Sequence, residues 1–308
     1  MRVVTLLRNL VMKARNSDSL LLWLIAVPGI LYFIIFKYVP LLGNVIAFQE
    51  YSIFQGIRES PFVGWKHFIF MFKYEEFMNI LKNTMVLSFY QIVFGFPAPL
   101  FLALMLNEIR MSLYKRSVQT LLYLPHFLSW IIVGGIFINL LSFDGIINKL
   151  TGLLGAPTID FMTHKGFFRS IVVMSGIWKE IGWGMIIYLA AMSAINPHLY
   201  EAAVVDGAGR WRQMWSITVP SITPAIITLF LLRIGNLLDS NIEQMLVLLN
   251  PLVRPIGEVI DTYVYRAGFQ GAQFSFTTAI GLFKSMIGLI MIVGLNKLSK
   301  RITGNGIY

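Results

Sequence analysis

Residues 201–224 read EAAVVDGAGRWRQMWSITVPSITP, a polar, basic, glycine-punctuated island between two long apolar runs. A loop that only joined two membrane helices could be much shorter. Pro197 stands just upstream, where the first turn of a helix tolerates proline because that N–H has no intrahelical partner. Leu199, Ala202, Ala203 and either Val204 or Val205 then give a small apolar stripe, with Glu201 and Asp206 as the acidic groups. Gly207 permits a chain reversal that a residue with a β-carbon resists. Arg210 and Arg212 charge the next segment, and Pro220 and Pro224 open the following apolar run. The pattern predicts a short amphipathic helix, a glycine turn and a second helical segment running on into a membrane span. A helix with small side chains and a few charges, held just outside the bilayer, suits a groove on another protein. An interfacial helix lying on lipid headgroups fits the same pattern.

The island resembles the EAA loop of the permease subunits of bacterial ATP-driven (ABC) importers. That pattern is Glu-Ala-Ala, two residues, Asp-Gly-Ala and then, nine residues after the glycine, Ile-x-x-Pro. Glu201, Ala202, Ala203, Asp206, Gly207, Ala208, Ile217 and Pro220 stand in that register. The family often has Phe where this chain has Met214, a soft apolar replacement. The resemblance implies a coupling helix over 198–212 that sits in a cleft of a separate ATPase subunit. Glu201 would anchor it, Gly207 supply the turn, and Ala202, Ala203 and Ala208 the close packing, with Arg210 in the same coupling set.

Composition agrees with a membrane chain. The 308 residues are 56% hydrophobic, with mean hydropathy +0.71 and no cysteine. An ordinary soluble domain is far less apolar, so the class is polytopic membrane protein, all-α. The net charge of +10 is scattered through short loops between apolar runs, which gives no support to nucleic acid as a partner. Without cysteine there are no disulfides or thiolate metal sites, and His67 has no partner histidine at ligand spacing. No metal site and no catalytic residue is expected. No phosphate loop of the type G-x-x-x-x-G-K-[ST] is present, so the chain is not expected to be an enzyme; ATP and Mg belong to partner subunits.

In chain order, residues 1–19 form a basic cytoplasmic segment and 20–48 an uncleaved first transmembrane helix. A permease core of five further helices spans 77–298, with the coupling loop at 197–216 and a cytoplasmic tail at 299–308. The spans are expected near 77–106, 118–141, 168–195, 217–238 and 276–295, with a short helix at 146–154 in an outside loop. Gly95, Pro97 and Pro99 should bend the second span. The segments read as inside hold 12 Lys and Arg, against 9 in the longer outside loops. Lys and Arg favour the cytoplasmic side, so both termini are placed there, in the bacterial cytoplasmic membrane.

Charges inside the spans call for partners or water, because an isolated one near the bilayer centre costs on the order of 3 kcal/mol. Lys179, Glu180, Arg233 and Lys284 are such residues. The favoured expectation is pairing across helices, Glu180 with Arg233 or Lys284; the alternative is a polar cavity. His126, after Pro125, is expected to pack between helices and bond a backbone carbonyl, with a substrate contact as the other option. If the cavity takes a sugar, aromatic rings should stack on pyranoses while amides and carboxylates bind hydroxyls. Tyr90, Gln91, Trp178, Trp183 and Tyr188 are candidates, as are Asn236, Asp239, Asn241, Glu243 and Gln244.

A narrower resemblance covers nearly the whole chain. PGILYFIIFKYVPLLGNVIAF (28–48), WKEIGWGMIIYLAAMSAI (178–195), NPLVRPIGEVIDTYVYRAG (250–268) and FTTAIGLFKS (276–285) look like the carbohydrate branch, MalF-type, and within it the LplB-like permeases. The tail ending Gly306, Ile307, Tyr308 does too. The implied fold is the MetI-like, type I importer permease. The implied assembly has a second homologous permease, two ATPase subunits and an extracytoplasmic solute-binding protein. The implied function is import of an oligo- or polysaccharide by alternating access. An importer permease for a non-sugar solute, or an ion-coupled secondary carrier, is the alternative.

Overall fold

The computed structural model describes residues 21–303. The expected cytoplasmic segment 1–19 and the tail residues Gly306, Ile307 and Tyr308 lie outside the described residues. Among those described there is no strand, only an isolated bridge pairing Gln49 with Phe62. The helices are α1 (Leu21–Phe48), α2 (Lys66–Lys73), α3 (Glu75–Asn107) and α4 (Ser112–Tyr123). Next come α5 (Trp130–Leu141), α6 (Ile146–Leu153), α7 (Lys165–Ser193) and α8 (Pro197–Val205). The last four are α9 (Arg210–Gly235), α10 (Ile242–Leu248), α11 (Ile260–Val264) and α12 (Phe274–Thr303). Six stretches are long and apolar enough to cross a membrane, five in α1, α3, α7, α9 and α12 and one over Trp130–Leu153.

The expected continuous helix over 118–141 is not formed. That stretch is divided into α4 and α5 by a 3-10 turn, Leu124–Phe127, and an extended Leu128 and Ser129. Pro125 has no N–H to carry an α-helix through, and the Ser129 hydroxyl restarts the chain by accepting from Ile132 N at 3.4 Å. The 12 residues of α5 rise only about 18 Å, short of a ~30 Å hydrocarbon core, and the apolar stretch long enough to cross is Trp130–Leu153, α5 with α6, which begins just after the break.

Three crossings share one device. In each, a five-residue π-turn ends two residues before a proline: Ile34–Tyr38 before Pro40, Gln91–Gly95 before Pro97, Met214–Thr218 before Pro220. Val39 N bonds Ile34 O, Phe96 N bonds Gln91 O and Val219 N bonds Met214 O, each one residue longer than the α-helical ring. A proline ring collides with the carbonyl four residues back in an α-helix, and widening that turn relieves the collision.

The most buried crossing is α7. Phe168, Ile171 and Val172 pack its N-terminal half against Met245 and Leu248 of α10. Met185, Tyr188 and Met192 pack its C-terminal half against Ala103 and Leu104 of α3 and Met214 and Ile222 of α9. Near the N-terminal end of α3, Arg266 clamps the 254–266 segment onto that helix through Glu258 at 2.8 Å and Glu76 at 2.6 Å. The hydrogen-bonded Glu258 carboxylate raises the Arg266 pKa above its ordinary value. By contrast, every residue of α1 from 21 to 42 is exposed. Only its last turn, Gly43–Phe48, lies against α12, where Tyr51 N also bonds Ser275 Oγ at 2.9 Å.

Candidate functional site

A cavity of about 540 Å³ opens between α3, α7 and α9 and is closed on one side by residues 239–244. Its polar lining starts from Gln91, which sits on the π-turn of α3. Two glycines make room for that amide. A β-carbon on Gly95 would stand 2.7 Å from Gln91 Oε1, and one on Gly176 would stand 3.0 Å from Gln91 Nε2. So seated, Gln91 Oε1 accepts from Arg233 Nη2 at 3.4 Å.

Across the cavity, Glu180 and Trp183 are one helical turn apart on α7. Glu180 Oε2 meets His126 Nδ1 at 2.9 Å, and the His126 ring stacks on Trp183 at 4.6 Å between centroids. The break between α4 and α5 places His126 there. The same break leaves backbone carbonyls without helical donors, and Lys179 supplies one. Its ammonium, on a residue 6% exposed, donates to His126 O at 2.7 Å, Leu128 O at 2.6 Å and Pro125 O at 3.3 Å. Trp130 stands 5.7 Å from it in a cation–π arrangement.

The expected charge pairing is therefore corrected. Glu180 pairs with His126, not with Arg233 or Lys284, because α7 turns it towards the break rather than towards α12. Lys284 binds Asp239 at 2.6 Å and also Asp261, whose other oxygen accepts from Ser240 N at 2.7 Å. His126 bonds a carboxylate through its side chain, not the expected carbonyl.

Of the ten residues proposed from sequence as sugar contacts, seven line the cavity: Gln91, Trp183, Tyr188, Asn236, Asp239, Asn241 and Gln244. Several have other duties. Asn241 caps α10 by accepting from Gln244 N at 3.0 Å, and Asn236 donates to Leu232 O at 3.0 Å. Gln244 is 4% exposed and donates to Val172 O and Ser175 Oγ, so it is a fixed part of the wall. Tyr90, Trp178 and Glu243 are not in the lining. Tyr90 packs against the Leu87 cluster, Trp178 meets Phe137 edge-on at 5.8 Å, and Glu243 is exposed on α10. Glu180 and Arg233, read from sequence as intramembrane charges, do line it. Their depth in the spans was the signal that also pointed to a cavity. The seat built by Gly95 and Gly176 leaves no local pattern that a sequence reading could use.

The second site is the island itself. Asn196 caps α8 by accepting from His198 N at 3.0 Å, and Pro197 takes the first turn. At the other end Gly207, at φ 75°, closes a Schellman turn. Ala208 N bonds Ala203 O at 2.8 Å and Gly207 N bonds Val204 O at 3.0 Å. Tyr200 and Thr218 share a hydroxyl hydrogen bond of 2.8 Å that holds α8 against α9. No residue of α8 is buried, and Glu201, Ala202, Val204 and Val205 are all exposed. The expected stripe is thus split: Ala203 turns to the body with Tyr200, and Leu199 and both valines face outward. Glu201 is 70% exposed and meets His198 Nδ1 at 2.9 Å. Asp206 and Arg210 are exposed, Ala208 and Ile217 are half-buried, and Pro220 opens the regular α-helical part of α9.

Residues 95–304 match the model of the family described as binding-protein-dependent transport system inner membrane component. The chain is 48% identical over 288 residues to the polygalacturonan/rhamnogalacturonan transport system permease protein YteP of Bacillus subtilis, covering 93% of this chain and 90% of that one. It is 45% identical to protein LplB of the same organism, covering 93% and 91%. Its structure is similar to a chain in the crystal structure of a bacterial alginate ABC transporter in complex with an alginate pentasaccharide-bound periplasmic protein. The TM-score is 0.88 at 39% identity, over 96% of this chain and 99% of that chain.

Proposed function

The chain belongs to the binding-protein-dependent transport system inner membrane components, and from that premise we propose that it carries an oligo- or polysaccharide through the cavity between α3, α7 and α9. The observation that supports this most is the lining: an aromatic ring, amides, carboxylates and a guanidinium gathered at membrane depth. A purely structural bundle would fill that space with apolar side chains. The cavity's size falls within the ~300–1,000 Å³ range of small-molecule sites. Trp183, with one face on His126, would offer its exposed edge and remaining face to a pyranose, and Asn236, Asp239 and Glu180 would take hydroxyls. The names of the related permeases and the bound periplasmic protein of the solved transporter favour a saccharide delivered by a solute-binding protein.

The island would be the coupling element. A helix that buries nothing of itself, held by Tyr200 and the Schellman turn, is preformed for a cleft on a partner. That partner would be one of two ATPase subunits, which hold the ATP and Mg. Glu201 would exchange His198 for a group in the cleft. The unburied α1 favours a second, homologous permease, whose spans would cover it. Both termini would be cytoplasmic, which puts α8 on the ATPase side. Transport would then be alternating access: ATP closure moves α8, the crossings rock, and the cavity opens in turn to each side. Each state needs its own contacts, since a ligand shifts a population only by its difference in affinity.

The test is ATP hydrolysis by the reconstituted importer, with and without saccharide-loaded binding protein. Stimulation is expected for the native chain, and its loss for Glu201→Ala or Gly207→Val while the chain still inserts. Undiminished stimulation in both variants would remove the coupling assignment. Solute movement by the chain without ATPase subunits would replace the importer reading with a carrier.

A further inference from the structure

We infer that Arg233 reads a carboxylate on the transported saccharide, so that the cavity selects uronate-bearing over neutral chains. The inference rests on the proposed saccharide function and deepens it.

Four other cations of the bundle are satisfied by groups of the chain itself. Lys179 has three carbonyls. Lys284 has two aspartates. Arg266 has two glutamates, and Arg169 has Ile256 O at 3.1 Å and Asn83 Oδ1 at 2.9 Å. Arg233 has a single hydrogen bond, at 3.4 Å, to the neutral amide of Gln91. Among the described residues no carboxylate lies within ion-pair distance of it. A guanidinium has five donors in a planar fork, so most of its capacity faces the cavity it lines. A charge at membrane depth is costly without a partner, and here the carboxylate whose field reaches Arg233, Glu180, stays beyond ion-pair distance and bonds His126 instead.

That separation is built in. The two cavity carboxylates nearest in chemistry are already engaged, Glu180 by His126 and Asp239 by Lys284. Gln91 is fixed in place by Gly95 and Gly176, so it orients the guanidinium without neutralising it. The balance of charges also limits the anion. One planar cation stands among two carboxylates, which would repel a dianion such as a phosphate monoester. A carboxylate matches the fork with two parallel hydrogen bonds, and the hydroxyls beside it on a sugar ring can donate to Glu180 and Asp239.

The test uses the full importer with its binding protein in proteoliposomes. The probes are a galacturonate tetrasaccharide and its methyl ester, which has the same ring chain without the charge. The native importer is expected to favour the acid. Arg233→Gln should lower the acid-to-ester import ratio ~10-fold or more, because a charge-assisted pair is replaced by a neutral contact. Arg233→Lys should restore part of the ratio. Complex recovery and binding-protein-stimulated ATP hydrolysis are measured alongside, so that misfolding is separated from lost selectivity. An unchanged ratio in a well-assembled Arg233→Gln importer overturns the inference, as does native preference for the ester. Import of neither probe, nor of any neutral saccharide, instead overturns the saccharide function on which it rests.

Discussion

Lys179 looks, in sequence, like a charge seeking a carboxylate, and in the structure it is a donor seeking carbonyls. The difference arises because its partners are backbone groups, exposed only by the break between α4 and α5. Replacing it with Met keeps the bulk and removes the donor. Pro125 O keeps Leu128 N at 3.2 Å, but the carbonyls of His126 and Leu128 lose their donor at about 1–3 kcal/mol each, so Lys179→Met is expected to lower the thermal midpoint of the purified protein sharply. Lys179→Arg should recover part of the loss. Gly182 tolerates no side chain at all. A β-carbon there would stand 2.0 Å from the backbone oxygen of Leu122, which cannot swing aside. Gly182→Ala should therefore cost at least the ~1–3 kcal/mol typical of overpacking, while Gly135→Ala, with open space around it, should be near neutral in the same melting experiment. The island was more legible than either residue. Ala203, Gly207 and Ala208 occupy the positions that a Schellman turn defines, so part of the motif's spacing is the geometry of ending a helix.

Helices were legible from their apolar runs, and their interruptions only partly. Pro97 announced a disturbance in α3, but its form, a widened turn over Gln91–Gly95, depends on how the chain accommodates the ring. That turn also sets which side chains face the cavity, since an extra residue in one turn rotates everything beyond it. Gln91 opens the turn and lines the cavity, while its neighbour Tyr90, about 100° round the helix, packs against the Leu87 cluster. Pro97→Ala removes the collision and allows the turn to tighten into α-helix. The expected result is unchanged or higher thermal stability with reduced saccharide import, because Gln91 would leave its seat beside Arg233. A variant that kept full import would show that the widened turn is not needed to place Gln91.

For the whole molecule, six crossings and the family could be read from the sequence, but the uneven distribution of burial could not. Hydropathy treats α1 and α7 alike as spans, although α1 is unburied and α7 is the axis of the packing. Deleting residues 21–42 should therefore leave the melting of the remaining bundle within a few degrees of native. It should abolish co-purification of the second permease, and persistence of that partner would show that α1 is not its contact. The stitch at Lys179 has a further consequence, in time rather than in space. The carbonyls of His126 and Leu128 precede their donor by 53 and 51 residues. While the chain is being made, these two carbonyls lack the ammonium that later binds them, and a backbone group left without a donor in hydrocarbon costs several kcal/mol. The expected consequence is that the segment before α5 takes its final place only after α7 has been made.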